Sequence, residues 1–321
     1  MAQLVEIGVP VAKVFAAMIA GFLIFRIPPV RQTVRPLLFV TLNILFPIHL
    51  IYKFSDGWGE AIEAGWQWMA IFFFASLLMM GIQLIAGILL VKKTNLLQTN
   101  YEREIITFFW VHNAGYIPIP ILTALAPKGL MVFMFFYFFA FNIVFWSAAA
   151  SYISPGVGKT FQFKLNMPLV GLIVGFLLAV TGLFEYIPRV VWNSMEFIAN
   201  YSIYVILFLV GSIVGTIPMR HLKIYPVFRR FISIKMIIYP VIVLGLTLLL
   251  PLGRLSSDMA AGIKLALVIE AAVPPATNIL ITTKAYGSED QVHFVGSGIM
   301  ATYIAALITL PVFILLIMLW R

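Results

Sequence analysis

The chain has 321 residues, 62% of them hydrophobic and 10% charged, with a mean hydropathy of +1.05 and a formal charge of +9. So little polar surface cannot coat a water-soluble globule, and the composition reads as a polytopic membrane protein. The absence of cysteine excludes disulfides and thiolate metal sites.

A membrane-spanning helix needs roughly 20 mostly apolar residues. On that length the sequence predicts ten spans, near 5–25, 36–53, 67–91, 104–126, 129–153, 167–184, 195–216, 231–251, 259–283 and 292–320. The opening "MAQLVEIGVP" has no basic region ahead of its apolar stretch, so the first segment is expected to stay as a span rather than be cleaved. Thirteen of the basic residues fall in alternate loops: around Arg26 to Arg35, Lys92 to Arg103, Lys159 and Lys164, Arg220 to Arg230, and Lys284. Five fall on the other side, at Lys53, Lys128, Arg189, Arg254 and Arg321. The basic loops are expected in the cytoplasm, which puts both termini outside it in an integral plasma (inner) membrane protein. The net charge restates this bias, so no nucleic-acid partner is expected.

The two halves resemble each other. "VPVAKVFAAMIAGFLI" (9–24) and "MPLVGLIVGFLLAVTG" (167–182) each open a half, and each half's fourth span is interrupted by prolines, at Pro118 and Pro120 or at Pro274 and Pro275. With five spans per half, the second half enters the membrane from the opposite side. The predicted organisation is an all-α protein of two inverted five-helix repeats, 1–153 and 167–321, joined by a short cytoplasmic linker at 154–166.

Proline removes a backbone donor and clashes with the preceding turn, so "WVHNAGYIPIP" (110–120) and "EAAVPPATN" (270–278) should each split a helix near mid-membrane. Unpaired backbone groups cost several kcal/mol in hydrocarbon and survive only inside protein or around a wet cavity. Two such breaks at matching positions bring positive helix N-termini and negative C-termini together, which suits an anion and a small cation.

These breaks, the "TKAYGSED" that follows the second (283–290) and the ten-span inverted plan resemble the auxin efflux carrier family over essentially the whole chain. The resemblance implies a scaffold of spans one, two, six and seven, a mobile core of spans three to five and eight to ten, and a homodimer joined through the scaffold. Plant members carry a long cytoplasmic loop where this chain has only 154–166. Bacterial relatives that move malonate or other small carboxylates are therefore the closer analogy.

The candidate substrate site is Asn113, Gly115, Tyr116, Pro118 and Pro120 at the first break, with Pro274, Pro275, Thr277 and Asn278 at the second. Either asparagine amide can donate to a carboxylate, or instead satisfy backbone groups freed by proline. Glu270 is the most deeply placed acid, with no basic residue at helical spacing beside it, and an intramembrane carboxylate is functional by default. It could carry a proton, or form a tentative sodium site with Gln83 and broken-helix carbonyls. Sodium-coupled bile acid transporters, similar in architecture, place a glutamate on their ninth helix in that role. His112 could relay protons, although adjacency to Asn113 on a helix would point it elsewhere, toward packing.

Lys235 and Lys264, nearer their span ends, are expected to snorkel outward, and Lys13 either to attract anions or to snorkel. Glu196 is read as a capping box with Asn193, and "FMFFYFFAF" (133–141) as lipid-facing or packed surface. "SPGVGKT" (154–160) resembles a phosphate-binding loop but lacks its first glycine. The pairs Gly171/Gly175 and Gly211/Gly215 read as close helix packing. With neither paired carboxylates nor an HExxH motif in the spans, no enzyme and no cofactor beyond a sodium ion is expected. The expected activity is secondary transport of a small organic anion by an elevator-like motion, with a proton-coupled carrier, a uniporter or an anion channel as alternatives.

Overall fold

The structure is a computed structural model that describes residues 2–153, 166–217, 223 and 225–319. The linker at 154–165 with its "SPGVGKT", and Lys159, Lys164, Arg220 and Arg321, lie outside the described residues. The described residues are helical almost throughout, as α1 (Ala2–Ile24), α2 (Pro28–Ala64), α3 (Gln67–Lys93), α4 (Glu102–Trp110), α5 (Pro118–Leu125), α6 (Lys128–Ile153), α7 (Met167–Thr181), α8 (Arg189–Gly215), α9 (Pro226–Thr247), α10 (Ser257–Ala272), α11 (Thr277–Tyr286) and α12 (Glu289–Leu319). Six of these, α2, α3, α6, α8, α9 and α12, are long and apolar enough to cross a membrane. The chain is a membrane-embedded helical protein.

Helix α1 packs along α8, and α2 packs on α7 and α8. Glycines make those approaches possible. A Cβ on Gly211 would collide with the Met18 carbonyl of α1, and one on Gly21 with the Phe208 carbonyl of α8. Gly171 and Gly175 lie on Pro47 and Ile51 of α2. Both glycine pairs therefore sit at close helix crossings. Gly211→Ala adds a methyl where backbone leaves no room, so the usual helix-propensity gain is overridden by an overpacking cost of about 1–3 kcal/mol. The expected result is a lower thermal midpoint than wild type in purified protein, and an equal or higher midpoint counts against this crossing.

A second set of contacts joins α3 to α4 and α6, α9 to α10, and α12 to α10 and α11. Helix α6 is mostly buried, with Phe133, Phe135, Tyr137 and Phe138 inside. The aromatic run at 133–141 is thus core packing and not a lipid-facing surface.

Several helix ends differ from the sequence expectation, and α2 differs at both, beginning at Pro28 rather than near 36. The second span was expected to stop near residue 53, where charges begin, yet α2 continues to Ala64. The only helix-weakening residues in 54–64 are Gly57, which packs against the Lys128 backbone, and Gly59, and the turn comes only at Gly65, whose φ of 115° favours glycine. The extension lets Glu60 accept from the Gly129 amide at 2.9 Å, placing a carboxylate at the positive end of α6, with Lys128 3.2 Å from Asp56 beside it. Helix α8 starts at Arg189 behind Pro188, so Asn193 and Glu196 lie within the helix and form no capping box. Helix α9 likewise starts at Pro226, earlier than the predicted 231. At the start of α7, Asn166 caps the helix by accepting from Leu169 N at 2.9 Å.

Candidate functional site

The predicted fourth and ninth spans are both interrupted. α4 stops at Trp110 and α5 resumes at Pro118, and α10 stops at Ala272 and α11 resumes at Thr277. Each first half completes its own ladder as far as it can, with Val111 N on Thr107 O and Val273 N on Ile269 O, both at 2.9 Å. Beyond that the two breaks bond to each other. Asn113 N donates to Pro274 O and Ala276 N to Val111 O, each at 2.9 Å, and His112 faces Pro275 in an antiparallel bridge. Val111, His112, Asn113 and Val273 are all buried. The cost of unwinding inside the protein is therefore offset by pairing the freed groups across the crossing.

Pairing is not complete, because proline has no N–H. In an unbroken helix the carbonyls of Glu270 and Ala271 would accept from residues 274 and 275, which are both prolines. The Ala271 carbonyl instead accepts from the Lys235 ammonium at 3.3 Å.

On one side of the crossing lie the predicted substrate residues. Asn113 Oδ1 accepts from Tyr116 N at 3.0 Å, and its Nδ2 donates to the Tyr303 hydroxyl at 2.8 Å. The half-buried Tyr116 phenol meets the Asn278 side chain, and Thr277 lies against the Tyr303 phenol. Gly115 is fitted to the Phe138 ring, which a Cβ would strike. Pro118 and Pro120 occupy the first turn of α5, where a missing N–H costs nothing. The structure thus gathers Asn113, Tyr116, Thr277 and Asn278 into one cluster at the N-termini of α5 and α11. Asn113 also performs the backbone-satisfying duty considered for it. Tyr303 of α12 was missed. Its only signal is a tyrosine in the apolar "ATYIAALI", where a buried hydroxyl needs a partner.

On the other side, Glu270 is fully buried, with Oε2 3.1 Å from His112 Nε2, which in turn is 3.0 Å from the Tyr137 hydroxyl. His112 was expected to point away from the site because neighbouring residues on a helix diverge. The backbone there is extended and paired to Pro275, so the helical-face argument does not apply, and the imidazole meets the carboxylate.

Lys235 is the larger correction. It was expected to snorkel outward, and it is completely buried, within a π-helical turn at Ser233–Ile238 and over the ring of Tyr239 at 4.7 Å. The freed carbonyl of Ala271 gives the ammonium an internal partner that a lipid headgroup would otherwise supply. Lys264 is half-buried and Lys13 exposed.

Glu270 and Gln83, expected together at a sodium site, have different neighbours. Glu270 looks toward His112, whereas Gln83 lies against the Tyr239 phenol, at an apolar cavity of about 510 Å³ between α3 and α9 that Lys235 also lines. The ammonium already sits at the carbonyl end of α10, where it would repel a second cation. Among the described residues no group of three or more His, Cys, Asp or Glu could hold a metal ion.

The chain matches no model of a known protein family, and no curated protein matches it.

Proposed function

We propose that the protein is a secondary carrier of a small organic anion, bound at the N-termini of α5 and α11 where the two broken helices meet. The observation that carries this reading is the reciprocal backbone pairing of the breaks, Asn113 N to Pro274 O and Ala276 N to Val111 O. A single kinked helix would need no such partner. The breaks aim two positive helix ends and the side chains of Asn113, Tyr116, Thr277 and Asn278 at one region, which suits a carboxylate.

In this reading the six long helices, the shorter apolar α1 and α7, and the interrupted pairs α4/α5 and α10/α11 make ten crossings in two inverted repeats, with both termini outside the cytoplasm. The mutual packing of α1, α2, α7 and α8 supports a scaffold, and the contacts among the remaining helices support a core that moves past it as an elevator. Dimerisation through the scaffold follows the family resemblance. The auxin efflux plan with its short linker favours a small carboxylate such as malonate over auxin.

The test is a thermal-shift titration of purified protein with acetate, malonate, succinate and indole-3-acetate. At least one of these should raise the midpoint, since a ligand stabilises the state it binds. Asn113→Ala removes hydrogen-bonding groups worth about 1–3 kcal/mol, so it should weaken that ligand by roughly 5-fold or more. Tyr303→Phe, which loses the bond to Asn113 Nδ2 but keeps the amide, is expected to bind better than Asn113→Ala. Wild-type affinity in Asn113→Ala would return the residue to purely structural duty.

A further inference from the structure

The Lys235 side chain brings a positive charge to the crossing. Lys235 has no exposed surface, donates to the Ala271 carbonyl at 3.3 Å and stacks its ammonium 4.7 Å from the Tyr239 ring centre. Burying an ammonium is costly unless the surroundings are arranged for it. Here they are: the carbonyl is the one left without a donor by Pro275, the negative end of α10 points at it, and the Glu270 carboxylate interacts with the ammonium electrostatically, without a direct ion pair. The π-helical turn at Ser233–Ile238 inserts an extra residue into α9 at this level, a device that re-aims side chains at functional sites. Freed carbonyls, an aromatic face and a buried carboxylate are what a desolvated monovalent cation would be offered.

We infer that Lys235 is a tethered cation at the crossing, its ammonium held where a coupling sodium ion would bind, so that the carrier works without sodium. The ammonium neutralises Glu270 and the carbonyl end of α10, and it stays with the protein through the transport cycle. The transport consequence rests on the carrier reading; the charge-substitution claim does not.

Two measurements on purified full-length protein judge it. The first compares thermal midpoints in sodium and potassium chloride at equal ionic strength, and wild type should show no difference. A sodium-specific rise would reveal a separate sodium site and overturn the inference. The second compares Lys235→Met, Lys235→Arg, Glu270→Gln and the Lys235→Met/Glu270→Gln pair. Lys235→Met should lose roughly 10 °C by leaving a buried carboxylate without its counter-charge. Lys235→Arg should stay close to wild type, and the pair should lose less than the sum of its single changes, because removing both charges relieves each other's penalty. Additive losses would mean that the two charges do not compensate and would overturn the inference. Where Lys235→Met fails to fold, Lys235→Arg decides: a midpoint far below wild type, although the positive charge is kept, would overturn the inference. Malonate uptake into proteoliposomes in choline and in sodium medium adds the transport arm. Equal rates support the inference, faster uptake in sodium overturns it, and an absence of flux in both media counts against the carrier reading while the stability arms still decide the role of Lys235.

Discussion

Alanine at both Pro274 and Pro275 is expected to abolish transport while the protein still folds and inserts. The two new amides stand opposite the carbonyls of Glu270 and Ala271, so α10 can run on into α11. Alanine is favoured over proline in a helix interior by about 3 kcal/mol per residue, which supplies the driving force. Closing the helix removes both inter-break hydrogen bonds, Asn113 N to Pro274 O and Ala276 N to Val111 O, and competes with Lys235 for the Ala271 carbonyl. Ladder bonds gained replace cross-bonds lost, so the thermal midpoint should move much less than the activity. Proteoliposome uptake and thermal unfolding measured on the same preparation check this. Wild-type uptake in the double variant would show that the unwound segment is dispensable.

Glu270→Gln should produce the second large effect, this time on stability as well as on transport. The side chain is nearly isosteric, so the cavity is preserved, but Lys235 loses the carboxylate it interacts with electrostatically and His112 loses the charge at 3.1 Å. Breaking a buried charge pair from one side costs about 3–5 kcal/mol. A thermal midpoint within a degree or so of wild type would mean that Glu270 is neutral in the resting protein and that the ammonium is held by the carbonyl and the Tyr239 ring alone.

Much of the architecture was legible because a bilayer leaves few choices. Hydropathy located the six long apolar helices, the paired prolines located both breaks, and Gly171/Gly175 and Gly211/Gly215 marked helix crossings that the packing of α7 on α2 and of α8 on α1 now accounts for. What escaped was set by partners distant in sequence. Lys235 reads as a snorkelling residue until the carbonyl that Pro275 strips of its donor is seen beside it, 36 positions away. His112 was judged by helical geometry that the extended break does not have. Tyr303 carries no local signal of its bond to Asn113. The long α2 was cut short because hydropathy falls at Asp56 and Glu60, although those charges serve the start of α6.

The central claim is that the crossing is a carrier site, and counterflow tests it most directly. Proteoliposomes preloaded with unlabelled malonate, succinate or acetate are diluted into trace labelled carboxylate, and uptake is followed against its external concentration. A carrier predicts saturable uptake that is accelerated by the internal anion and lost in Pro274→Ala/Pro275→Ala. Uptake that neither saturates nor responds to the anion inside would identify a pore and contradict the account.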